Sequence, residues 1–370
     1  MSNHTDFLRL QSDWERLFEA NPRHSPFLAW GWVNAWLTHI AGQHELRIAC
    51  LRDDDGELQF VLPLLRRTGR REFGSARMVL VCSYGPECSE HLGYLCIPGQ
   101  EPRSTELSAK AISQFFGESG AVSLGCLDND GDYPTRLRSR VQSSGHITRL
   151  RPDVACPTVR LPGSWEEYLQ QLSSNFRSQV RRSYRGIGGE GQPNFRSLEE
   201  SEASDFANVL IRLNQTRIAA KGEVSSLQDE AFRSFLREVI PYMASCDRAW
   251  MDTIERDGEV LGAALNFVHG ETVYYYMGGF DDTANKLRPG TALFADVIQR
   301  SISAGIKRYD FLRGAEPYKY RWGAKDVQTY RLTVYPPGLV NGRLSSLADD
   351  LYVSARNLLS RARRLVVRRK

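Results

Sequence analysis

The stretch Leu287–Gly323, LRPGTALFADVIQRSISAGIKRYDFLRGAEPYKYRWG, is the most informative segment of this 370-residue chain. It predicts a tight turn, an amphipathic helix, a strand and a polar, aromatic segment, in that order. Arg288-Pro289-Gly290-Thr291 forms the turn, because Pro-Gly favours turns and Pro suits a first helical position. Apolar residues then recur at helical spacing: Leu293, Phe294, Val297, Ile298 and Ile302. A helix that begins after a glycine turn offers free N–H groups to an anion such as pyrophosphate.

The elements around this stretch follow a recognisable order. The pattern predicts, before it, a strand, two helices and three strands: Asn194–Glu199, Ser201–Lys221, Gln228–Ala244, Ala249–Glu255, Glu259–Val268 and Thr272–Phe280. After the helix it predicts a strand, a short helix and a last strand: Lys307–Leu312, Ala315–Trp322 and Thr329–Tyr335. This order resembles the GNAT acyltransferase fold, and the resemblance implies that Arg288–Thr291 holds the pyrophosphate of an acyl-coenzyme A. Of the usual Q/R-x-x-G-x-G/A fingerprint, only Arg288, Pro289 and Gly290 remain.

Several short sequence segments restrict the resemblance to one branch of the acyltransferases. They are SPFLAWGWVNAW, LQFVLPLLRR, SYGPECSEHLGY, YDFLRG and EPYKYRWG, spread over residues 5–335. Together they look like the BioF2-like or CelD-like branch of acetyltransferases, whose members are often encoded with exopolysaccharide or cellulose synthesis genes. The same tandem arrangement is similar to the Fem-type aminoacyltransferases, which use aminoacyl-tRNA.

The predicted elements of the N-terminal half follow an order similar to that of the C-terminal half. Its predicted elements are helices at Ser12–Ala20, Leu28–Ile40, Thr105–Phe116 and Tyr133–Ser143, and strands at Glu45–Arg52, Glu57–Arg66, Met78–Cys82, Tyr94–Ile97, Ala121–Leu127 and His146–Leu161. We therefore expect an α/β (α+β) protein of two tandem GNAT-like domains, each a mixed, mostly antiparallel sheet flanked by helices. Residues 1–160 would form a degenerate copy, 161–338 the acyltransferase domain, and 339–370 a basic helical tail.

Composition sets the class of protein. With 41% apolar residues the chain can bury a full core, and no apolar run reaches the ~18 residues of a membrane span. The first residues are charged and amphipathic, and the seven cysteines show no disulfide pattern, so we expect a cytoplasmic protein. A net charge of +4 does not favour nucleic acid. Only tRNA, in the Fem-like alternative, would be a nucleic-acid partner.

Acyl transfer requires that the acyl donor is bound, that the developing oxyanion is stabilised, and that the acceptor amine or hydroxyl is deprotonated. The GNAT resemblance places the oxyanion at the backbone of Met277 and Gly278, where adjacent glycines suggest a bulge. It also places a tyrosine acid near the end of the quoted stretch. Tyr318 is the first choice for that acid and Tyr320 the alternative.

Other polar residues of that stretch are further candidates. Asp310, within a core strand, would be either a general base or the ion-pair partner of Arg313 or Arg321. Lys319 would neutralise a phosphate or the oxyanion. Arg313, Glu316 and Trp322 are predicted to contact substrate.

A second group of candidates lies earlier in the chain. Arg177, Arg181 and Arg185 recur along one face of the helical segment Ser173–Ile187, which suits an anionic substrate or a solvated face. His91, with Glu90, is a candidate for binding the acceptor or for acting as a general base. The spacing Cys82, Cys88, His91, Cys96 does not fit the usual zinc patterns, so no metal is expected.

The tail Leu347–Lys370 alternates apolar residues with arginines. It predicts either peripheral association with an anionic membrane or a polysaccharide synthase, or a helix packed on its own domain. The favoured interpretation is an acyltransferase that moves an acyl group, acetyl from acetyl-CoA or another acyl-CoA, to an amine or hydroxyl on a small molecule or glycan. The alternatives are Fem-like aminoacyl transfer onto a peptidoglycan precursor and a catalytically silent binding module of a polysaccharide synthase complex.

Overall fold

A computed structural model describes residues 3–42, 44–67, 77–84, 89–118, 121–185, 193–220, 222, 225–281 and 288–336. The helices are α1 (His4–Arg9), α2 (Gln11–Glu19), α3 (Trp30–His39), α4 (Glu101–Phe115), α5 (Tyr133–Ser143), α6 (Trp165–Gln171), α7 (Ser174–Arg185), α8 (Ala203–Ala220), α9 (Glu230–Ser245), α10 (Pro289–Ser303) and α11 (Pro317–Arg321). The strands are β1 (His44–Arg52), β2 (Leu58–Arg67), β3 (Arg77–Leu80), β4 (Leu95–Cys96), β5 (Ala121–Leu127), β6 (Ile147–Arg160), β7 (Asn194–Ser197), β8 (Ala249–Arg256), β9 (Glu259–His269), β10 (Thr272–Phe280), β11 (Arg308–Asp310) and β12 (Lys325–Tyr335). The predicted α/β class and the predicted order of elements are confirmed.

The strands form one mixed sheet, and its two halves repeat the same arrangement of strands. Within the described residues the order is β1-β2-β3-β5-β12-β6-β11-β10-β9-β8-β7, with β4 paired to β2. Each half carries an antiparallel hairpin and then a parallel pair, β3 with β5 and β10 with β11. This repetition supports the predicted tandem arrangement.

The two central strands are exchanged between the halves. The last strand, β12, pairs with β5 of the N-terminal half, while β6 pairs with β11 of the C-terminal half. β12 and β6 also pair with each other along most of their length. The sheet is thus continuous across the predicted boundary near residue 160, and that boundary stays a prediction.

An aromatic core joins the halves on one face of the sheet. Trp32 of α3 makes edge-on contacts with Phe235 of α9 and Phe267 of β9, at ring distances of 5.0 and 5.2 Å. Both helices belong to the same continuous core, which also includes Phe27. Burial of each such side chain contributes about 1.5–3 kcal/mol, so this contact stabilises the pairing of the halves.

A second core lies under α6, α7 and α10. It packs Tyr168, Phe294, Tyr309 and Trp322 against the C-terminal half of the sheet. α6 was not predicted from sequence, although Ser164 caps it in the expected way by accepting the N–H of Glu167. No helix among the described residues is long and apolar enough to cross a bilayer.

Candidate functional site

The N-terminus of α10 borders a cleft of about 580 Å³, called here the α10 cleft. Its walls come from α7, α8, β10, α10 and α11. The lining residues are Phe176, Arg217, Tyr275, Phe280, Gly290, Thr291, Phe294, Tyr318, Arg321 and Trp322. Four of them, Gly290, Thr291, Tyr318 and Trp322, were predicted site residues, and the structure brings these four together.

The start of α10 has the backbone that the Pro-Gly turn predicted. Arg288 is its N-cap in the left-handed conformation (φ 52°), Pro289 follows, and the Arg288 side chain makes no capping hydrogen bond. A Cβ on Gly290 would lie 2.7 Å from the Phe280 ring, so only glycine fits there. Arg288 itself is exposed and is not among the lining residues. The helix start therefore offers its dipole and backbone to the cleft, while the side chain of Arg288 is not part of the cleft lining.

Two other arginines supply positive charge to the cleft. The guanidinium of Arg217 lies 4.7 Å from the centre of the Phe280 ring, and that of Arg321 lies 4.3 Å from the Phe176 ring. Among the described residues no carboxylate pairs with Arg217. Sequence reasoning missed Arg217, because a single arginine on an amphipathic helix carries no signal of its own.

Tyr318 lies among aromatic side chains of this cleft. Its ring stacks on Phe294 at 5.8 Å, and burial raises the pKa of its phenol well above 10. Burial also raises the pKa of Tyr275 to about 12. Tyr320, the alternative acid, is 38% exposed and donates to Asp326 at 2.8 Å. The geometry therefore favours Tyr318 as the protonated group in the cleft.

Strands β10 and β11 separate beside the cleft. They pair at only three positions, ending at Tyr274 with Asp310, and β10 then bulges between Tyr275 and Met277. A Cβ on Gly278 would lie 2.5 Å from the Tyr275 hydroxyl, and the Gly278 carbonyl accepts from Asn214 at 3.0 Å. The bulge thus lies before Gly278 and Gly279, the adjacent glycines that were expected to form it, and those two glycines pair regularly with β9. Met277 is partly buried against the core that contains Trp32 and Phe267.

A buried polar cluster, called here the central cluster, lies where the halves meet. It consists of the buried residues His91, Cys156, Thr158 and Asp310, with half-buried Asp128 at its edge. His91 Nε2 lies 3.2 Å from Asp310 Oδ2, and Nδ1 lies 3.5 Å from Asp128 Oδ1. Asp310 also accepts from the Thr158 hydroxyl at 2.8 Å and from a backbone N–H at 2.7 Å. His91 and Asp310, two predicted catalytic residues, are thus neighbours.

The ion pair fixes the charge of this histidine. Burial alone would lower the pKa of His91, but Asp310 and the contact with Asp128 outweigh it, and that pKa lies well above 6.5. This shift favours the protonated form of His91, which suits electrostatic stabilisation better than the role of a general base. The predicted pairing of Asp310 with Arg313 or Arg321 is wrong, because His91 takes that place. Arg313 instead pairs with Glu90, whose pKa burial raises.

Lys319 and Glu316 have structural contacts that sequence alone did not indicate. The Lys319 ammonium is buried, donates to the carbonyls of Leu312 and Arg313 at 3.3 and 2.5 Å, and pairs with Glu316 at 2.9 Å. These contacts engage every N–H of the ammonium group. Lys319 therefore fixes the loop after β11, and its predicted role on phosphate or oxyanion has no free donor to use.

The remaining predicted residues lie apart from the cleft lining. Arg177 is half-buried on α7, and Arg181 is exposed and pairs with Glu166 at 3.2 Å. His91, Cys156 and Asp310 place ligand atoms within 4.8 Å of one another, a feature that the expectation of no metal had not considered. Cys88 and the tail Leu347–Lys370 lie outside the described residues.

The N-terminal half has its own cleft, of about 480 Å³, beside the start of α4; we call it the α4 cleft. Its lining is acidic and aromatic, with Glu101, Asp128, Asp130, Tyr94 and Tyr133. Arg23 lies 3.4 Å from Glu101 and 3.6 Å from Asp130. His91 reaches this cleft from the central cluster.

Comparison with known proteins agrees with this geometry. Residues 174–320 match the sequence model of the acetyltransferase (GNAT) domain family, so this part of the chain is a GNAT domain. No curated protein sequence matches the chain. The assignment to the BioF2-like or CelD-like branch stays a prediction.

Solved structures share the fold along nearly the whole chain. FemX is 12% identical, with 94% of this chain and 99% of that chain covered and a TM-score of 0.65. The C-terminal domain of a putative lysylphosphatidylglycerol synthetase from Agrobacterium fabrum is 11% identical, with 93% and 96% covered and a TM-score of 0.55. At these identities the likeness shows the fold alone.

Proposed function

We propose that this GNAT-type acyltransferase takes its acyl group from acetyl-CoA or another acyl-CoA bound in the α10 cleft. The observation that carries the proposal is the start of α10, where the Arg288 side chain makes no capping hydrogen bond and Gly290 packs against Phe280. This helix start faces the same cleft as Arg217, Arg321 and Tyr318. A pyrophosphate suits a helix start flanked by arginines. The aromatic walls suit the apolar part of a thioester donor.

In this proposal, residues of the chain bind the substrates and supply a proton to the leaving group. The acceptor nitrogen or oxygen attacks the thioester carbonyl carbon, the C–S bond breaks, and the sulfur leaves with the electron pair. Tyr318 O–H, kept protonated by burial, donates its proton to that sulfur. The acceptor loses a proton to solvent, and the phenol is reprotonated from solvent. His91 and Asp310 form a buried contact between the halves.

The acceptor is proposed to be an amine or hydroxyl on a sugar or on an exopolysaccharide or cellulose precursor. This part of the proposal is supported by the resemblance to the CelD-like branch. The length of the acyl chain is measured by the binding panel that identifies the donor, described below. The basic tail would bring the enzyme to the inner surface of a membrane, where such glycans are made.

One observation favours a second candidate. The match to FemX extends over nearly the full length of both chains, and the Fem-type resemblance implies aminoacyl-tRNA as the donor. The two candidates differ in what the α10 cleft must hold, so one binding panel separates them.

The panel uses isothermal titration of the full chain with acetyl-CoA, longer acyl-CoAs and free CoA, and a filter-binding assay with aminoacyl-tRNA. We expect CoA species to bind, and Arg217→Gln to weaken them about tenfold, because it removes a charge-assisted contact. Arg212→Gln, on the same helix but exposed, is the matched control. Binding of aminoacyl-tRNA without CoA binding would establish the Fem-like candidate, and binding of neither would favour the silent module.

A further inference from the structure

We propose that the central cluster binds a zinc ion through His91 Nε2, the Cys156 sulfur and an oxygen of Asp310. The ligand atoms of these three buried residues lie within 4.8 Å of one another. Imidazole, thiolate and carboxylate are all zinc ligands, and three protein ligands leave a fourth position for water. The site shares no residue with the lining of the α10 cleft, so it does not depend on the identity of the acyl donor.

Strand register places two of the ligands on one face of the sheet. Asp310 of β11 lies directly opposite Thr158 of β6, and Cys156 is two residues before Thr158 on the same strand. Residues two apart on a strand share a face, as do residues directly opposite each other in an antiparallel pair. Asp310 and Cys156 are therefore diagonal neighbours on the same side of the sheet.

His91 brings the third ligand from the N-terminal half. Its backbone lies in the left-handed region (φ 53°), which is uncommon for a residue other than glycine. Its Nε2 atom lies 3.2 Å from Asp310 Oδ2, but the contact is not aligned as a hydrogen bond. Among the described residues this buried nitrogen thus has no hydrogen-bond partner, which is costly unless another group satisfies it. A metal ion between His91, Asp310 and Cys156 would do so.

The groups around the ligands are those that orient metal ligands elsewhere. His91 Nδ1 lies 3.5 Å from Asp128 Oδ1, so the ring stands between a carboxylate and the proposed ion. Asp310 accepts the Thr158 hydroxyl at Oδ2 and a backbone N–H at Oδ1. These bonds leave lone pairs on both oxygens, because an ionised carboxylate offers about four. A carboxylate behind the histidine and hydrogen bonds to the ligating carboxylate are the usual outer contacts of a zinc site.

Charge and ligand type favour zinc over other common cations. Mg²⁺ and Ca²⁺ prefer oxygen ligands, whereas a thiolate suits zinc. Zinc requires the thiolate and the neutral imidazole, so its binding would release the protons of the Cys156 thiol and of His91 Nε2 to solvent. Zn²⁺ with one thiolate and one carboxylate has no net charge, which lowers the cost of burial. His91 and Asp128 also line the α4 cleft, which gives the ion a route from solvent.

The three ligands are far apart in the sequence, which explains why cysteine and histidine spacing did not indicate them. His91 follows β3, Cys156 lies in β6 and Asp310 ends β11. A bound ion would therefore link a loop of the N-terminal half to two strands at the middle of the sheet. We expect it to stabilise the junction of the two halves.

The test is titration of the full chain with Co²⁺ after a chelator has removed bound metal. Co²⁺ takes the place of zinc, and a cobalt–thiolate bond gives a charge-transfer band in the near ultraviolet. Cys50, Cys88 and Cys246 are changed to Ala in every protein, so that these thiols give no band. We expect the band to saturate at about one Co²⁺ per chain and to disappear when Zn²⁺ is added.

Variants then identify the ligands. Cys156→Ser keeps the side-chain volume and should abolish the band, whereas Cys96→Ala, at another buried cysteine, should retain it. His91→Gln should weaken Zn²⁺ binding at least 100-fold, and Asp128→Asn, which changes only an outer contact, about tenfold. Circular dichroism checks that each variant is folded.

Absence of the band before any ligand is changed, or a band that persists in Cys156→Ser, overturns the proposal. Equal Zn²⁺ affinity in His91→Gln and the unchanged protein does the same, because the cluster would then be a plain ion pair. The titration contains no acyl-CoA, so its result is readable whether or not the proposed donor binds.

Discussion

The two halves of the sheet use the same elements and differ where one helix begins. In the C-terminal half, α10 starts with Pro289-Gly290-Thr291 and has no carboxylate in its first turn. In the N-terminal half, the corresponding helix α4 starts with Glu101, which lines its cleft and pairs with Arg23. Both helices stand beside a parallel strand pair.

This difference shows how one fold accommodates different ligands. A carboxylate at a helix N-terminus neutralises the positive end of the dipole from within the protein. The first turn of α4 thus carries its own acidic residue, whereas the first turn of α10 has none, which suits the anionic donor proposed above. The position of the helix is set by the fold, and its ligand is set by one or two residues of its first turn.

The largest expected effect tests the chemistry of the C-terminal half. Tyr318→Phe should lower turnover about 100-fold, because the leaving sulfur loses its proton donor. Donor affinity should change little, since the ring still packs on Phe294. Steady-state kinetics with acetyl-CoA measures both values. Tyr320→Phe is the control, and unchanged turnover in both variants would exclude a tyrosine acid.

The second prediction gives α10 the charge that α4 has. Thr291→Glu should weaken CoA binding about 30-fold, because a carboxylate then repels the pyrophosphate at the helix start. Thr291→Gln, of similar size, should bind CoA far better than the glutamate variant. Thermal unfolding should not fall in Thr291→Glu, since a first-turn acid favours a helix. Equal CoA affinity in the two variants would place the donor elsewhere.

The third prediction concerns a buried histidine of the N-terminal half. His24 donates from Nδ1 to the Phe18 carbonyl at 3.1 Å and accepts the Cys96 N–H at Nε2, and burial lowers its pKa to about 3. The neutral form is therefore the folded form. The stability it contributes is full above pH 6.5 and is lost as pH falls toward 3, by up to about 1.4 kcal/mol per pH unit.

Urea unfolding between pH 7 and 4 measures this slope. His24→Asn retains a donor for Phe18 without the titrating group, so its stability should fall less steeply with pH. Identical slopes in the parent and His24→Asn would show that His24 titrates in the folded protein as it does in the unfolded chain.

The smallest effect is expected at Arg288. The sequence predicted it to contact pyrophosphate, but its side chain is exposed and outside the lining of the α10 cleft. Arg288→Ala should weaken CoA binding by less than about threefold, as expected of a screened, exposed charge. A tenfold loss by isothermal titration would instead bring Arg288 into the donor site.

The sequence predicted the individual elements well because their signals are local. Helical spacing and Pro-Gly chemistry located α10. The short helices α1 and α6 were missed, since one or two turns carry little periodicity.

Contacts between distant segments were not predictable in the same way. No local sequence pattern indicates that Asp310 contacts His91, that Lys319 donates to backbone carbonyls, or that Arg217 faces the α10 cleft. These contacts depend on which strands become neighbours, and the exchange of β6 and β12 decides that. Four of the predicted site residues therefore line one cleft, while Asp310 and Arg313 have partners that the sequence did not reveal.

The exchange of central strands also governs the order of events during synthesis. β5 and β6 emerge from the ribosome early, but the strand that fills the gap between them is β12, near the far end of the chain. Until residues 325–335 emerge, the nascent N-terminal half presents two unpaired strand edges, which are sites for aggregation and for chaperone binding. The protein therefore completes its sheet in a single late step, and a ribosome stalled before β12 would leave a chain that cannot close.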